Sequence, residues 1–281
     1  MRLSYFIKMK LRPVIFLCLL LLATLIARSS DYFLLPENFF MHKGETLNLH
    51  LFIADFFDKE KNVKYDPATV GKFALYEGSK PIDLKGSVTP TDTTLLHYKM
   101  QSAGLYLAEL TQTLPGIDLD RGAFIRELDD EGLTKLSEKA NTSYQQDMKE
   151  KYTGYLKTLF SVDKASGNIF NKDLGHELEI IPMQNPYKLN YGDDITVLVK
   201  FRGKPFANAH VDLYVKSLAG KVFAQRLISD ASGNIFFKLN REGNYLLRTV
   251  NIDASKLPGI DYEKWAAAFT FGFRTALLKS Y

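Results

Sequence analysis

Among the residues able to do chemistry, the histidines are the ones whose spacing says most. There are five, His42, His50, His97, His176 and His210. No two form a His-x-His or His-x-x-x-His pair, which would give one metal ion two imidazoles from a single strand or helical turn. His210 and Asp212 come nearest to a ligand pair. Alternation through Val211, Leu213 and Val215 puts both on the opposite strand face, about 7 Å apart and toward solvent. A metal ion held there needs a further ligand from another strand. His50 shares the polar face of its strand with Asn48 and Phe52, as part of a ligand groove or of an ordinary sheet surface. His210, Asp212 and His50 are thus the candidate metal ligands, each set against a plain surface role. His176 has the parity of Leu178 and Ile180 and reads as a hydrogen-bonded residue at a core edge.

For catalysis the sequence offers less. It has no Gly-x-Ser-x-Gly, no phosphate-cradling glycine loop and no His-Glu-x-x-His. Asp118 and Asp120, echoed by Asp261 and Glu263, follow Pro-Gly turns. A glycosidase or a calcium site uses such acids, but their recurrence points to a structural turn that begins a strand. A non-enzymatic protein is expected.

The elements that must position these residues read mainly as strands. In residues 46–54, Leu47, Leu49, Leu51 and Ile53 alternate with Thr46, Asn48, His50 and Phe52, the period of a half-buried strand. Runs at 72–76, 95–100, 105–111 and 123–128 follow, separated by turn residues such as Asp66 with Pro67 and Ala103 with Gly104. From Asp129, the stripe Leu133, Leu136, Ala140, Tyr144, Met148, Tyr152, Tyr155 and Leu159 recurs at three- and four-residue steps, a helical period. Ser143 and Gln146 have the spacing of a capping box for a second helix. After a Pro-rich elbow at Asn185, Pro186 and Tyr187, strand-like runs continue at 195–201, 211–215, 222–228, 235–239, 245–251 and 267–273. With 177–181 they make seven, the number of an immunoglobulin-like sandwich. The expected architecture is mainly β: two tandem antiparallel Ig-like β-sandwiches over 30–128 and 173–281, joined by a helical connector over 129–172.

The two halves echo one another. Gly44 and Glu45 precede a strand as Gly192 and Asp193 do; Gly104-x-Tyr106-Leu107 matches Gly243-x-Tyr245-Leu246; and LPGID occurs at 114–118 and again at 257–261. Two copies of one sandwich account for these matches.

Residues 1–29 read as a signal peptide. Arg2, Lys8, Lys10 and Arg12 precede a charge-free run over 14–26, and Ala27 and Ser29 suit cleavage after Ser29. That run is short for a membrane span, so no stable span is expected after cleavage; an uncleaved anchor is the alternative. Five of the 36 basic residues and none of the 32 acidic ones lie in this segment, which leaves 31 against 32. The positive net charge of the whole chain therefore gives no support for nucleic acid as a partner. The single cysteine, Cys18, lies in the same segment, so the exported chain has no disulfide or thiolate chemistry.

A longer pattern runs through the middle of the chain: Glu131, Gly132 and Leu133; Tyr152, Tyr155, Lys157 and Leu159; then Leu174, Gly175, Leu178, Glu179, Ile180, Pro182, Asn185, Pro186 and Tyr187. It continues with Gly192 and Asp193, Gly203 to Pro205, Ala209 and Val211, Asp230 and Gly233, and a closing 268–271. In this order the sequence resembles the exported bacterial family catalogued as domain of unknown function 4198, often labelled a nickel transport family protein. The resemblance implies a periplasmic accessory protein linked to uptake of nickel or cobalt, with a transition-metal uptake system as partner. The alternative is an Ig-like envelope module for a protein or glycan, without metal. Family members carry a His just after the signal; here Ser29 and Ser30 stand in its place, which removes a natural imidazole and amine chelate.

Overall fold

Each half of the chain begins with short edge strands, continues through longer apolar ones and closes on the longest, because the residues between turns alternate or are β-branched and aromatic. The computed structural model describes residues 31–78, 80–88 and 94–275; the signal segment, its cleavage point and Cys18 lie outside them. The first half holds β1 (Asp31–Pro36), β2 (Phe40–Met41), β3 (Thr46–Asp55), β4 (Asp58–Asn62), β5 (Val70–Glu77), β6 (Lys80–Asp83), β7 (Leu96–Lys99), β8 (Gly104–Thr113) and β9 (Ile117–Asp120). Two helices follow, α1 (Arg121–Asp130) and α2 (Thr134–Asn141), and then β10 (Asp147–Val162). The second half holds β11 (Leu178–Pro182), β12 (Asp194–Phe201), β13 (Lys204–Pro205), β14 (His210–Ser217), β15 (Val222–Ile228), β16 (Asn234–Lys238), β17 (Gly243–Ala254) and β18 (Tyr262–Phe273).

The halves share one central sheet, in the order β15-β14-β17-β18-β10-β8-β5-β6. The closing strands of the two halves, β10 and β18, lie side by side in parallel, from Glu150 opposite Tyr262 to Leu159 opposite Phe271. Strands joined in this way turn the second half over relative to the first. Leu156, Phe160, Leu246 and Ala268 face the sheet of β1, β3, β4 and β7. Leu159, Leu247, Phe269 and Phe271 face the opposite way, onto the sheet of β11, β12, β13 and β16. The result is three layers with a core on each face of the middle one, a β-sandwich whose halves are fused rather than strung in tandem.

The helical connector is corrected in two places. Residues 123–128, expected as a strand, lie in α1: Asp120 caps it by accepting from Ala123 N at 2.9 Å, and Phe124 and Leu128, four apart, bury one face. Residues 147–162, expected as helix, form β10, and Ser143 with Gln146 starts no helix. The reason is arithmetic. A four-residue step satisfies a helical face and a strand face alike, and Met148 and Tyr152 do share a strand face. The helices are thus an insertion before the closing strand of the first half, packed on Met148, Val250, Ile252 and Tyr262.

The echoes in the sequence are geometrically faithful. Gly44 N donates to Met100 O and Gly192 N to Leu239 O, both at 2.9 Å. The Glu45 carboxylate accepts from His42 N at 2.8 Å as that of Asp193 does from Asn190 N at 2.7 Å. Both glycines hold φ near +90°, where a side chain is strained. The two LPGID turns meet beside the start of β10: a Cβ on Gly116 would lie 2.8 Å from Ile260 Cδ1.

Candidate functional site

His210 and Asp212 share one face of β14, as alternation requires, but the expectation that this face is open to solvent is corrected. The turn between α1 and α2 covers it, and a Cβ on Gly132 would overlap the His210 ring. Asp212 is buried, and both its oxygens are engaged, by Arg226 Nε at 2.6 Å and Nη2 at 2.9 Å and by Arg248 Nη1 at 2.9 Å. Burial alone would raise its pKa, but the two guanidiniums hold it below the usual carboxylate range. A carboxylate so occupied has nothing left for a metal ion. His50 lies on the outer face of β3, its ring stacked on Phe52, with Nδ1 3.0 Å from Asn62 Oδ1 and Nε2 3.2 Å from Glu37 Oε1. The structure does not bring His50 together with His210 or Asp212. Among the described residues no group of three His, Cys, Asp or Glu side chains could hold a metal ion.

Of the recurrent acids, Asp118 and Glu263 lie in strands β9 and β18, and Asp120 and Asp261 are cap and turn residues. Asp120 caps α1, and Asp261 accepts from Lys149 N at 2.8 Å and Gln145 Nε2 at 2.9 Å. His176 is at a core edge as expected, its Nε2 2.8 Å from Glu109 Oε2. Burial works to raise the Glu109 pKa, yet His176, Lys72 and Tyr76 together bring it down to about 2. Beside it Lys157 Nζ donates to Glu179 Oε1 at 2.8 Å, both residues being buried. Leu174 N and His176 N also donate to Glu179, so these networks hold the 173–179 segment against the central sheet.

One cleft draws on both halves. It has a volume of about 410 Å³ and is lined by Phe40, His42, Ser161, Asp163, Tyr187 and Arg274, among others. The pairing of Phe40 with Ser161 and Met41 with Val162 brings His42 to Asp163. His42 Nδ1 then lies 2.9 Å from Asp163 Oδ1, and Lys43 N donates to Asp163 Oδ2 at 3.2 Å. This hydrogen bond raises the pKa of the imidazole and lowers that of the carboxylate. Asp163 is in the left-handed region, φ 55°, an uncommon state for a residue other than glycine. Tyr187, from the elbow, forms a wall and donates to Leu159 O at 2.6 Å. Arg274 lies over the Phe40 ring, 5.0 Å from its centroid.

The internal repeat separates structural from unexplained residues here. Glu45 has a counterpart in Asp193 with the same turn bond, so its role is structural. At the position of His42 the other copy has Asn190. His42 and Asp163 are therefore what the cleft adds to the repeated frame. Sequence reading missed the pair because the partners are distant in the chain and joined only by the short parallel contact of β2 with β10. The one signal in the sequence was the mismatch of His42 with Asn190 inside a matched turn.

The model of the family described as Domain of unknown function (DUF4198) matches residues 27–253. Among solved structures, the D0-D1 domain of Intimin is similar at 12% identity, over 87% of this chain and 98% of that chain, with a TM-score of 0.21. Three N-terminal domains of the bacteriophage RB49 Highly Immunogenic Outer Capsid protein (Hoc) are similar at 8% identity, over 88% of this chain and 71% of that chain, also with a TM-score of 0.21. No curated protein matches.

Proposed function

We propose, for a chain that belongs to the family of the domain of unknown function DUF4198, a non-enzymatic role as an exported, periplasmic binding protein. Its ligand site is the cleft between the halves, and the ligand is a small polar species, including nickel or cobalt already held by a small chelator. The observation that carries this reading is the His42–Asp163 pair at the cleft, unmatched in the other copy of the repeat. A metal with an open coordination position can take an imidazole as one further ligand, and Asp163 would orient that ring from its other nitrogen. The site needs no cluster of three protein ligands, because the chelator supplies the rest. Service to a metal uptake system follows from such a cargo.

Calorimetry of the purified protein with nickel and cobalt, free and as complexes of a small amine–carboxylate chelator, tests this. Binding of a complex that disappears in His42→Ala and survives in His210→Ala is the expected result. If neither the ions nor their complexes bind, the metal reading is overturned. A second reading, an envelope module that holds another polypeptide, is favoured by the open sheet edges of the second half.

A further inference from the structure

The second half is unguarded on one side. β15 is the last strand of the central sheet and β16 the last of the facing sheet, each paired on one edge only. Residues 222–228 and 235–238 make no backbone hydrogen bond to a described residue outside those two ladders. Between the two edges the sheets gape around a space of about 700 Å³, floored by Leu213, Val215, Phe237 and Tyr245. At the other end of the central sheet, β6 has four residues, all exposed, and carries Lys80, Pro81 and Asp83. Short length, charge and proline are the usual means of blunting an edge. β15 has seven residues and no proline, and its one charge, Arg226, is turned away onto Asp212.

The charge around the gap selects the occupant. Lys238 and Arg241 line it and no acid does. Lys221 and Arg241 flank the Phe223 ring, 5.0 and 4.2 Å from its centroid, and Asp194 neutralises only Lys238. We infer that the gap is a docking site for an extended acidic segment of a partner polypeptide, which adds as a strand to β15. Main-chain hydrogen bonds supply affinity, apolar side chains enter the gap, and carboxylates at one end of the segment meet Lys221 and Arg241 beside Phe223. The inference is independent of the His42 cleft.

The test is fluorescence anisotropy with three labelled octapeptides, each joining four valines to four glutamates, glutamines or lysines, followed by hydrogen exchange of the complex. The glutamate peptide is expected to bind at least about tenfold more tightly than the other two, with protection appearing at 222–228. Lys221→Glu with Arg241→Glu, in a protein that melts as the parent does, removes that preference, as does about 0.5 M salt. Equal binding of the three peptides, or binding of none, overturns the inference. Protection in the unliganded protein of the edge-facing amides of 222–228, the alternate ones not directed at β14, overturns it too: loss on dilution assigns the edge to a second copy, and loss on deleting 276–281 assigns it to the chain itself.

Discussion

Tyr106 and Tyr245 do the same thing in the two halves: each hydroxyl donates to the carbonyl oxygen four residues back, Ser102 at 2.9 Å and Arg241 at 2.7 Å. Each sits near the start of the strand next to the closing one and is fully buried. This tyrosine corner pins the loop that crosses between sheets, a device of immunoglobulin-like sandwiches. Together with the paired glycine turns it makes the halves two copies of one design, fused through β10 and β18.

Tyr106→Phe and Tyr245→Phe should each cost about 1–2 kcal/mol, because each removes a hydrogen bond and leaves a carbonyl without its partner. Urea denaturation of both single variants measures this. A corner whose hydroxyl can be removed at no cost would not be pinning its loop.

The helical insertion is held to the sheet by charge as well as by packing. Arg248 donates to Glu131 at 2.9 and 2.5 Å and to Asp212 at 2.9 Å, and all three residues are buried. Removing one partner of a buried pair leaves an uncompensated charge, a loss of about 3–5 kcal/mol. Arg248→Met is expected to lose that much in chemical denaturation, while Arg248→Met with Glu131→Gln should recover part of it. A double variant no more stable than the single one would show that the pair is not what couples helix to sheet.

How much of this was legible can be seen residue by residue. All seven strand runs of the second half are strands, because Ile195, Val197 and Val199, or Tyr245 and Leu247, alternate within segments bounded by turn residues. The matched motifs located the repeat, since a positive-φ glycine and a buried tyrosine each have few substitutes. The stripe from Tyr144 to Leu159 misled because its steps, all but one of four residues, fit both periods; Thr153 and Thr158, β-branched and within the run, were the better guide. Asp212 was placed on the right face, but nothing local says that a distant turn at Gly132 covers it. The His42 contact with Asp163 is set by the parallel pairing of β2 with β10 across 121 residues of chain, which no local pattern encodes.

Glu150 makes the clearest case for a pH dependence. It is buried on β10, and its Oε2 has no hydrogen-bond partner. Burial raises its pKa to about 7; Lys264 opposes the shift but is itself bonded to Glu127, and Glu127 and Glu131 add repulsion. A folded-state pKa above the unfolded value means stability fully present below about pH 4.5 and lost as pH rises through about 7. Glu109, with its folded value near 2, runs the other way: its contribution is present above about pH 4.5 and lost as pH falls toward 2. Glu150→Gln keeps the shape and removes the charge. It should therefore be more stable than the parent at pH 8, by about 2 kcal/mol, with the gap closing toward pH 5. Urea denaturation at the two pH values decides the matter. A gap of equal size at both would mean that Glu150 stays in one protonation state throughout, and that Lys264 rather than burial governs it.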